Sequence, residues 1–274
     1  MIELLLHNLY FLNIGGTLKY TLITGASSGI GLNLSLIFAK NNHNLILVAR
    51  NEKTLALLKE KLDLLYKIDI KIIPLDISGE VGATNLYKII KEQKLKVDIL
   101  INNAGIGYHG NFLEKDTQAD MDLINLNIIT PTILTKLFLQ DMIKTKSGKI
   151  FNIASTASFQ SGPLMSVYYG TKSYLLNFSE GIAEELRDSD IKIVTLCPGP
   201  TKTSFEKMDK IEKGLFKNFH IADPEDVANY LYKNIDTKKD ILIHGTLNKF
   251  MIAFAKFIPR KINLNLIKKI QQKK

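Results

Sequence analysis

The chain is short of residues that would cross-link it, bind metal or leave it disordered, and each shortage removes a class of protein. One cysteine, Cys197, has no partner for an internal disulfide and suits a reducing, cytoplasmic compartment. The five histidines, His7, His43, His109, His220 and His244, are scattered, and no spacing among them suggests metal ligands. Seven prolines and seventeen glycines in 274 residues are too few for a collagen-like or disordered chain. Acidic residues are missing from one end. Between Lys249 and Lys274 there are eight Lys or Arg and no Asp or Glu, leaving 28 basic against 27 acidic groups in residues 1–248. The net charge of +9 therefore belongs to a tail. A nucleic-acid-binding domain spreads positive charge over a folded face, so no nucleic-acid partner is expected.

No long apolar run opens the chain either. Residues 1–17 are apolar but broken by His7, Asn8 and Asn13, too short to span a bilayer, and without a basic start or a small-residue cleavage site. Two readings of this stretch stand. It is an extension packed on a sheet edge, or it is not native, because codons for Gly15-Gly16 can form a ribosome-binding site ahead of a TTG start at Leu18. The expected division is an extension over 1–17, a body over 18–248 and a basic tail over 249–274.

What is present is a rhythm. With 46% hydrophobic side chains the chain can bury one large core. Seven short runs rich in Ile, Leu and Val, at 19–24, 44–50, 69–75, 98–102, 148–154, 191–197 and 240–244, read as strands covered on both faces. Amphipathic stretches at 29–40, 52–67, 80–92, 119–144, 167–187 and 224–234 read as helices, the last capped by Asp223 with Pro224 in its first turn. This alternation predicts an α/β fold: a single-domain, Rossmann-like, doubly wound parallel sheet of seven strands with helices on both faces.

A glycine-rich turn joins the first strand to the first helix. Gly25, Gly29 and Gly31 let the backbone turn sharply and approach a pyrophosphate, to which the helix offers N–H groups and the positive end of its dipole. The segment Thr24-Gly25-Ala26-Ser27-Ser28-Gly29-Ile30-Gly31, with three residues between its first two glycines, resembles the short-chain dehydrogenase/reductase family. At the tip of the second strand, where an acid would bind the ribose hydroxyls of NAD, stands Ala49, followed by Arg50. A fixed cation there suits a 2′-phosphate, so NADP(H) is favoured over NAD(H).

Further landmarks of that family follow in order. Asp76-Ile77 resembles its adenine-contacting pair, and Asn102-Asn103-Ala104-Gly105 its sheet-steadying element beside the ribose. The turn Pro198-Gly199-Pro200-Thr201-Lys202-Thr203 is similar to the family's nicotinamide-side turn, with Thr201 replacing the usual branched apolar residue.

Tyr168 and Lys172 are four apart on an expected helix and share a face. An ammonium, with a cationic nicotinamide, should lower the phenol's pKa and let Tyr168 exchange a proton with a substrate oxygen. Ser155 would hold that oxygen. The resemblance adds Asn127, whose backbone would position a water linking Lys172 to solvent. Pro131 is expected to kink the helix near Asn127. Tyr169 has Ser173, not lysine, four residues on and is read as a decoy, and Cys197 as apolar filler. Together these imply an oxidoreductase moving hydride between a nicotinamide cofactor and a carbonyl or secondary alcohol.

The stretch 202–221 is expected to cover a small-molecule substrate. Its Phe205, Met208, Ile211, Leu215, Phe216 and Phe219 suggest a lipophilic ketone. In the tail, Ile262, Leu266, Ile267 and Ile270 alternate with lysines, and Pro259 should separate two short helices. That tail either lies on an anionic membrane surface or caps the body. Similar tails occur in a bacterial branch of the family, and relatives often form homo-oligomers through their two long helices.

Overall fold

The computed structural model describes residues 18–203 and 221–272. Both readings of residues 1–17, and the apolar side chains expected over the substrate between 204 and 220, lie outside the described residues.

Seven strands form one parallel sheet: β1 (Lys19–Thr24), β2 (Asn44–Ala49), β3 (Ile70–Pro74), β4 (Lys96–Asn102), β5 (Gly148–Ile153), β6 (Ile191–Cys197) and β7 (Ile241–Ile243). Their spatial order is β3-β2-β1-β4-β5-β6-β7. The chain runs outward from β1 in one direction, then returns to place β4 on its other side. The order thus reverses between β1 and β4, and a crevice opens beyond their carboxyl ends, where open α/β sheets bind ligands.

Alternation along the strands feeds two cores. Leu45 and Leu47 of β2 join Ile23, Ile101 and Val194 beneath Leu34 and Phe38 of α1 (Gly29–Lys40), Leu55 and Leu62 of α2 (Glu52–Leu65) and Val227 and Leu231 of α7 (Pro224–Lys233). Ile46 and Val48, one residue out of phase, join Leu22 and Leu100 on the other face. There they meet Leu86 of α3 (Gly79–Glu92), Leu134 and Phe138 of α5 (Thr130–Thr145) and Ala183 of α6 (Ser166–Glu185). Each fully buried Leu or Phe contributes about 1.5–3 kcal/mol. As expected, Asp223 caps α7, its side chain accepting from Glu225 N at 3.0 Å, with Pro224 in the first turn.

The expected helix 119–144 is present as one helical run over Thr117–Thr145, made of α4 (Thr117–Ile124), a π-helical turn (Asn125–Ile129) and α5. In that turn the N–H of Thr130 reaches back five residues to Asn125 O. Pro131 has no N–H to return to the carbonyl of Asn127, the α-helical partner four residues earlier. The irregularity expected from Pro131 is therefore present as a widened turn. Together these pieces are long and apolar enough to cross a membrane, but Leu134, Phe138 and Met142 are buried against the sheet, as in a core helix. Past β7 come α8 (Thr246–Ala255) and α9 (Arg260–Gln272), on either side of Pro259.

Candidate active site

The glycine turn is held by hydrogen bonds from the neighbouring strand. Asn103, just past β4, donates Nδ2 to Thr24 O at 2.9 Å and to Gly25 O at 3.3 Å. Thr24 Oγ1 accepts from the backbone N–H groups of Asn103 and Ala104, each at 3.0 Å. Gly25 has φ +67°, which favours glycine. Gly31 is required for a different reason: a Cβ there would lie 2.2 Å from Gly25 O and 2.5 Å from Asn103 Nδ2. The turn, the start of α1 and the end of β4 are thus packed backbone to backbone.

These residues open onto a cleft of about 840 Å³. Of the expected cofactor residues, Gly25, Ser27, Ser28, Gly29, Ile30, Arg50, Asp76, Ile77, Asn103, Ala104, Gly105, Pro198, Gly199, Thr201 and Thr203 line it, together with Tyr168 and Lys172. Ala26 does not: it is fully buried behind the turn, its N–H donating to Val48 O at 3.1 Å. Gly31 also stays behind the wall and shapes it by its lack of a side chain. Thr203 is brought across the fold to Gly29, whose added Cβ would stand 2.9 Å from Thr203 Cγ2. At the outer rim Arg50 Nη1 and Asp76 Oδ2 are 3.9 Å apart and both largely exposed, a pairing loose enough to yield to a stronger anion.

The backbone cradle, the first turn of α1 and the nearby guanidinium fit a dinucleotide phosphate group. Arg50 stands at the rim, and Ser27 and Ser28 lie with it in the wall of the cleft.

At the other end, β5 delivers Ser155 and α6 delivers Tyr168 and Lys172. Ser155 lines the cleft with Tyr168 and accepts from Ala157 N at 3.1 Å. Thr156 N donates to Pro198 O at 2.9 Å, tying this loop to the turn after β6. Lys172, 6% exposed, donates Nζ to Ile153 O at 2.9 Å and sits 5.9 Å from the centre of the Tyr168 ring. Burial lowers Lys172 to about 8.

Burial governs Tyr168 before any cofactor charge is added. Burial pushes its phenol up to about 12, outweighing the lowering by the Ser155 hydrogen bond. The lowering expected in the complex with oxidised nicotinamide would have to overcome this desolvation.

Asn127 lies behind this centre rather than in the cleft wall. Its Oδ1 accepts from Ile106 N at 3.0 Å and its Nδ2 donates to Ile106 O at 2.8 Å, so the side chain clamps the loop after β4 to the π-helical turn. Gly105 lies between: a Cβ on it would be 3.1 Å from Asn127 Oδ1 and 3.5 Å from Lys172 Nζ. Cys197 is buried and its thiol is pushed up to about 12, which leaves it as filler.

Sequence reasoning missed the far wall. Tyr169, set aside as a decoy, lines the cleft and accepts from Gln271 Nε2 at 2.9 Å. Gln271 O is 3.1 Å from His109 Nε2, and Ile267 is buried, so α9 packs on the body. Met251, Phe254, Ile258, Leu266 and Ile270 complete that wall. The apolar period of the tail was the only signal, and it does not say where the helix docks.

The family model described as short chain dehydrogenase matches residues 19–213. The chain is 28% identical to "Ketoacyl reductase HetN" of Nostoc sp. over 251 residues, 89% of this chain and 87% of that one. Among solved structures it resembles a short-chain dehydrogenase from Sphingobium yanoikuyae in complex with NADPH, with TM-score 0.77, 26% identity and coverage of 89% and 97%. It also resembles the bulky-bulky ketone specific alcohol dehydrogenase from Comamonas testosteroni, with TM-score 0.73, 27% identity and coverage of 89% and 96%.

Proposed function

The chain belongs to the short-chain dehydrogenase family, an oxidoreductase acting on CH–OH groups with a nicotinamide cofactor, and from that premise we propose that it is an NADP(H)-dependent reductase of lipophilic ketones. The observation that carries this reading is that Ser155, Tyr168 and Lys172 line the same cleft as the glycine turn. When bound, the cofactor supplies or accepts the hydride at the carbonyl carbon.

The remaining work falls to the chain's own residues. Ser155 holds the substrate oxygen and stabilises its developing negative charge. Tyr168 donates its hydroxyl proton to that oxygen, or removes it in the reverse direction. A bound oxidised nicotinamide carries a positive charge that opposes the effect of burial on Tyr168. Lys172, with a pKa of about 8, exchanges protons close to neutrality and can reprotonate the phenol. Asn127, whose carbonyl receives no N–H from Pro131, would position a water between Lys172 and solvent.

Arg50, beside the uncharged Ala49, supports the phosphate-bearing cofactor, as does the NADPH in the Sphingobium yanoikuyae structure. Met251, Phe254, Ile258 and Leu266 in the wall support a lipophilic substrate, as do the names of the ketoacyl and bulky-ketone relatives. The same reading places the enzyme in the cytoplasm, with its basic tail as the contact for a membrane surface.

The test is Tyr168→Phe. It should cut turnover of a hydrophobic ketone about a hundredfold to ten-thousandfold while NADPH binding, followed by fluorescence, stays close to wild type. Near-normal turnover would remove Tyr168 as the proton donor.

A further inference from the structure

Helix α8 faces the wrong way for a helix that only caps a core. Leu247, Phe250, Met251 and Phe254 follow the spacing i, i+3, i+4, i+7 and form one stripe, yet all four are exposed. No residue of α8 is fully buried. Phe250 is 68% exposed, and Phe257, in the turn that follows, is 84% exposed. The rings of Phe250 and Phe254 stack on each other, with centroids 6.2 Å apart and planes 7° from parallel. Ile262 and Leu266 extend the apolar surface onto α9, whose other side is anchored by Ile267 and Gln271. A contiguous apolar surface of this kind on a folded protein marks an interaction site.

The charges indicate what covers it. Lys249, Lys256, Arg260, Lys261, Lys268 and Lys269 are exposed, and the sequence has no acidic residue from 249 to 274. Exposed aromatic rings together with unopposed, long-stemmed cations match an anionic bilayer, where the rings enter the acyl boundary and the lysines reach the phosphates. We propose that α8 and α9 dock the enzyme on an anionic membrane surface and set the mouth of the substrate cleft at the lipid.

Geometry makes the two functions one. Met251, Phe254 and Leu266 belong both to the exposed stripe and to the cleft wall. A lipophilic ketone dissolved in the bilayer would then meet the cleft without crossing water. This inference deepens the reading of the cleft as a lipophilic-ketone site, but the docking itself does not depend on that reading.

Co-sedimentation with vesicles tests it, using the full chain with NADPH and low salt. The protein should pellet with vesicles of equal parts phosphatidylcholine and phosphatidylglycerol, stay in solution with phosphatidylcholine alone, and be released by added salt. Phe250→Asp combined with Phe257→Asp should weaken partitioning by about tenfold or more, and neither residue lines the cleft. Reduction of a soluble ketone by that variant in buffer should match wild type.

Failure of the wild type to pellet, or equal pelleting of the variant, overturns the proposal. So does a concentration-dependent dimer that the variant abolishes without any vesicle binding, because a second copy would then cover the stripe. Vesicle binding by a protein that reduces no ketone would leave the docking standing and remove the proposed activity.

Discussion

The two ends of the cleft are built by different means. At the nucleotide end the wall is backbone: Gly25 and Gly29 turn the chain, Gly31 allows close contact, and Asn103 clamps the turn from the adjacent strand. At the substrate end the wall is side chains, and its parts are distant in sequence. Tyr169 and Gln271, which meet there, are 102 residues apart. A wall made of backbone restricts which residues are allowed and so leaves a motif. A wall made of apolar side chains accepts many sequences of similar volume, and it can change substrate without disturbing the cofactor.

The largest effect expected from this contrast is at Gly31. Gly31→Val would push a side chain into Gly25 O and Asn103, and cofactor binding should fall by more than about a hundredfold. Calorimetry with NADPH reads this, and ordinary binding would show that the turn can move aside.

Arg50→Asp places an anion where the 2′-phosphate should lie. It should raise KM for NADPH roughly tenfold to a hundredfold and leave KM for NADH little changed. Equal changes for both cofactors would detach Arg50 from the phosphate.

Lys172 supplies a stability test at the junction of the two ends. Its folded pKa of about 8 is below the ordinary value of 10.5, so between those values the unfolded chain binds a proton that the folded chain lacks. Stability relative to Lys172→Met should therefore rise as pH increases from 8 towards 10, by at most about 1.4 kcal/mol per pH unit. Tyr168, raised to about 12, opposes this only above pH 10. Thermal unfolding without cofactor at the two pH values measures the difference, and a flat comparison would contradict the buried ammonium.

The smallest effect is expected at the far wall. Gln271→Leu removes the hydrogen bond to Tyr169 and should change KM for a bulky ketone by a few fold, with KM for NADPH unchanged. A matching change in both constants would mean that the two ends are not separable.

Much of this was legible in residue order. The first and sixth strands fall where the apolar runs placed them, and the glycine turn follows β1 as read. Those features are local: strand propensity, positive φ and helix caps act over a few neighbouring residues. Other features were not legible. Nothing near Ala26 says that it lies behind the turn instead of in the cleft, because facing depends on the register between β1 and β2. The extent to which burial raises Tyr168 was not legible for a related reason, since a phenol's pKa depends on how much of the fold surrounds it.

The sequence by itself determined the order of elements, the dinucleotide turn, and the presence of a serine, a tyrosine and a lysine able to handle a proton. These are carried by short-range backbone geometry, which a few residue types permit and the rest forbid. Only the tertiary structure decided that Thr203 meets Gly29, that Asn127 clamps Ile106, and that α9 closes the cleft while α8 turns its rings outward. Those outcomes depend on burial and contact between distant segments, and a linear pattern of apolar and charged residues does not specify its partner.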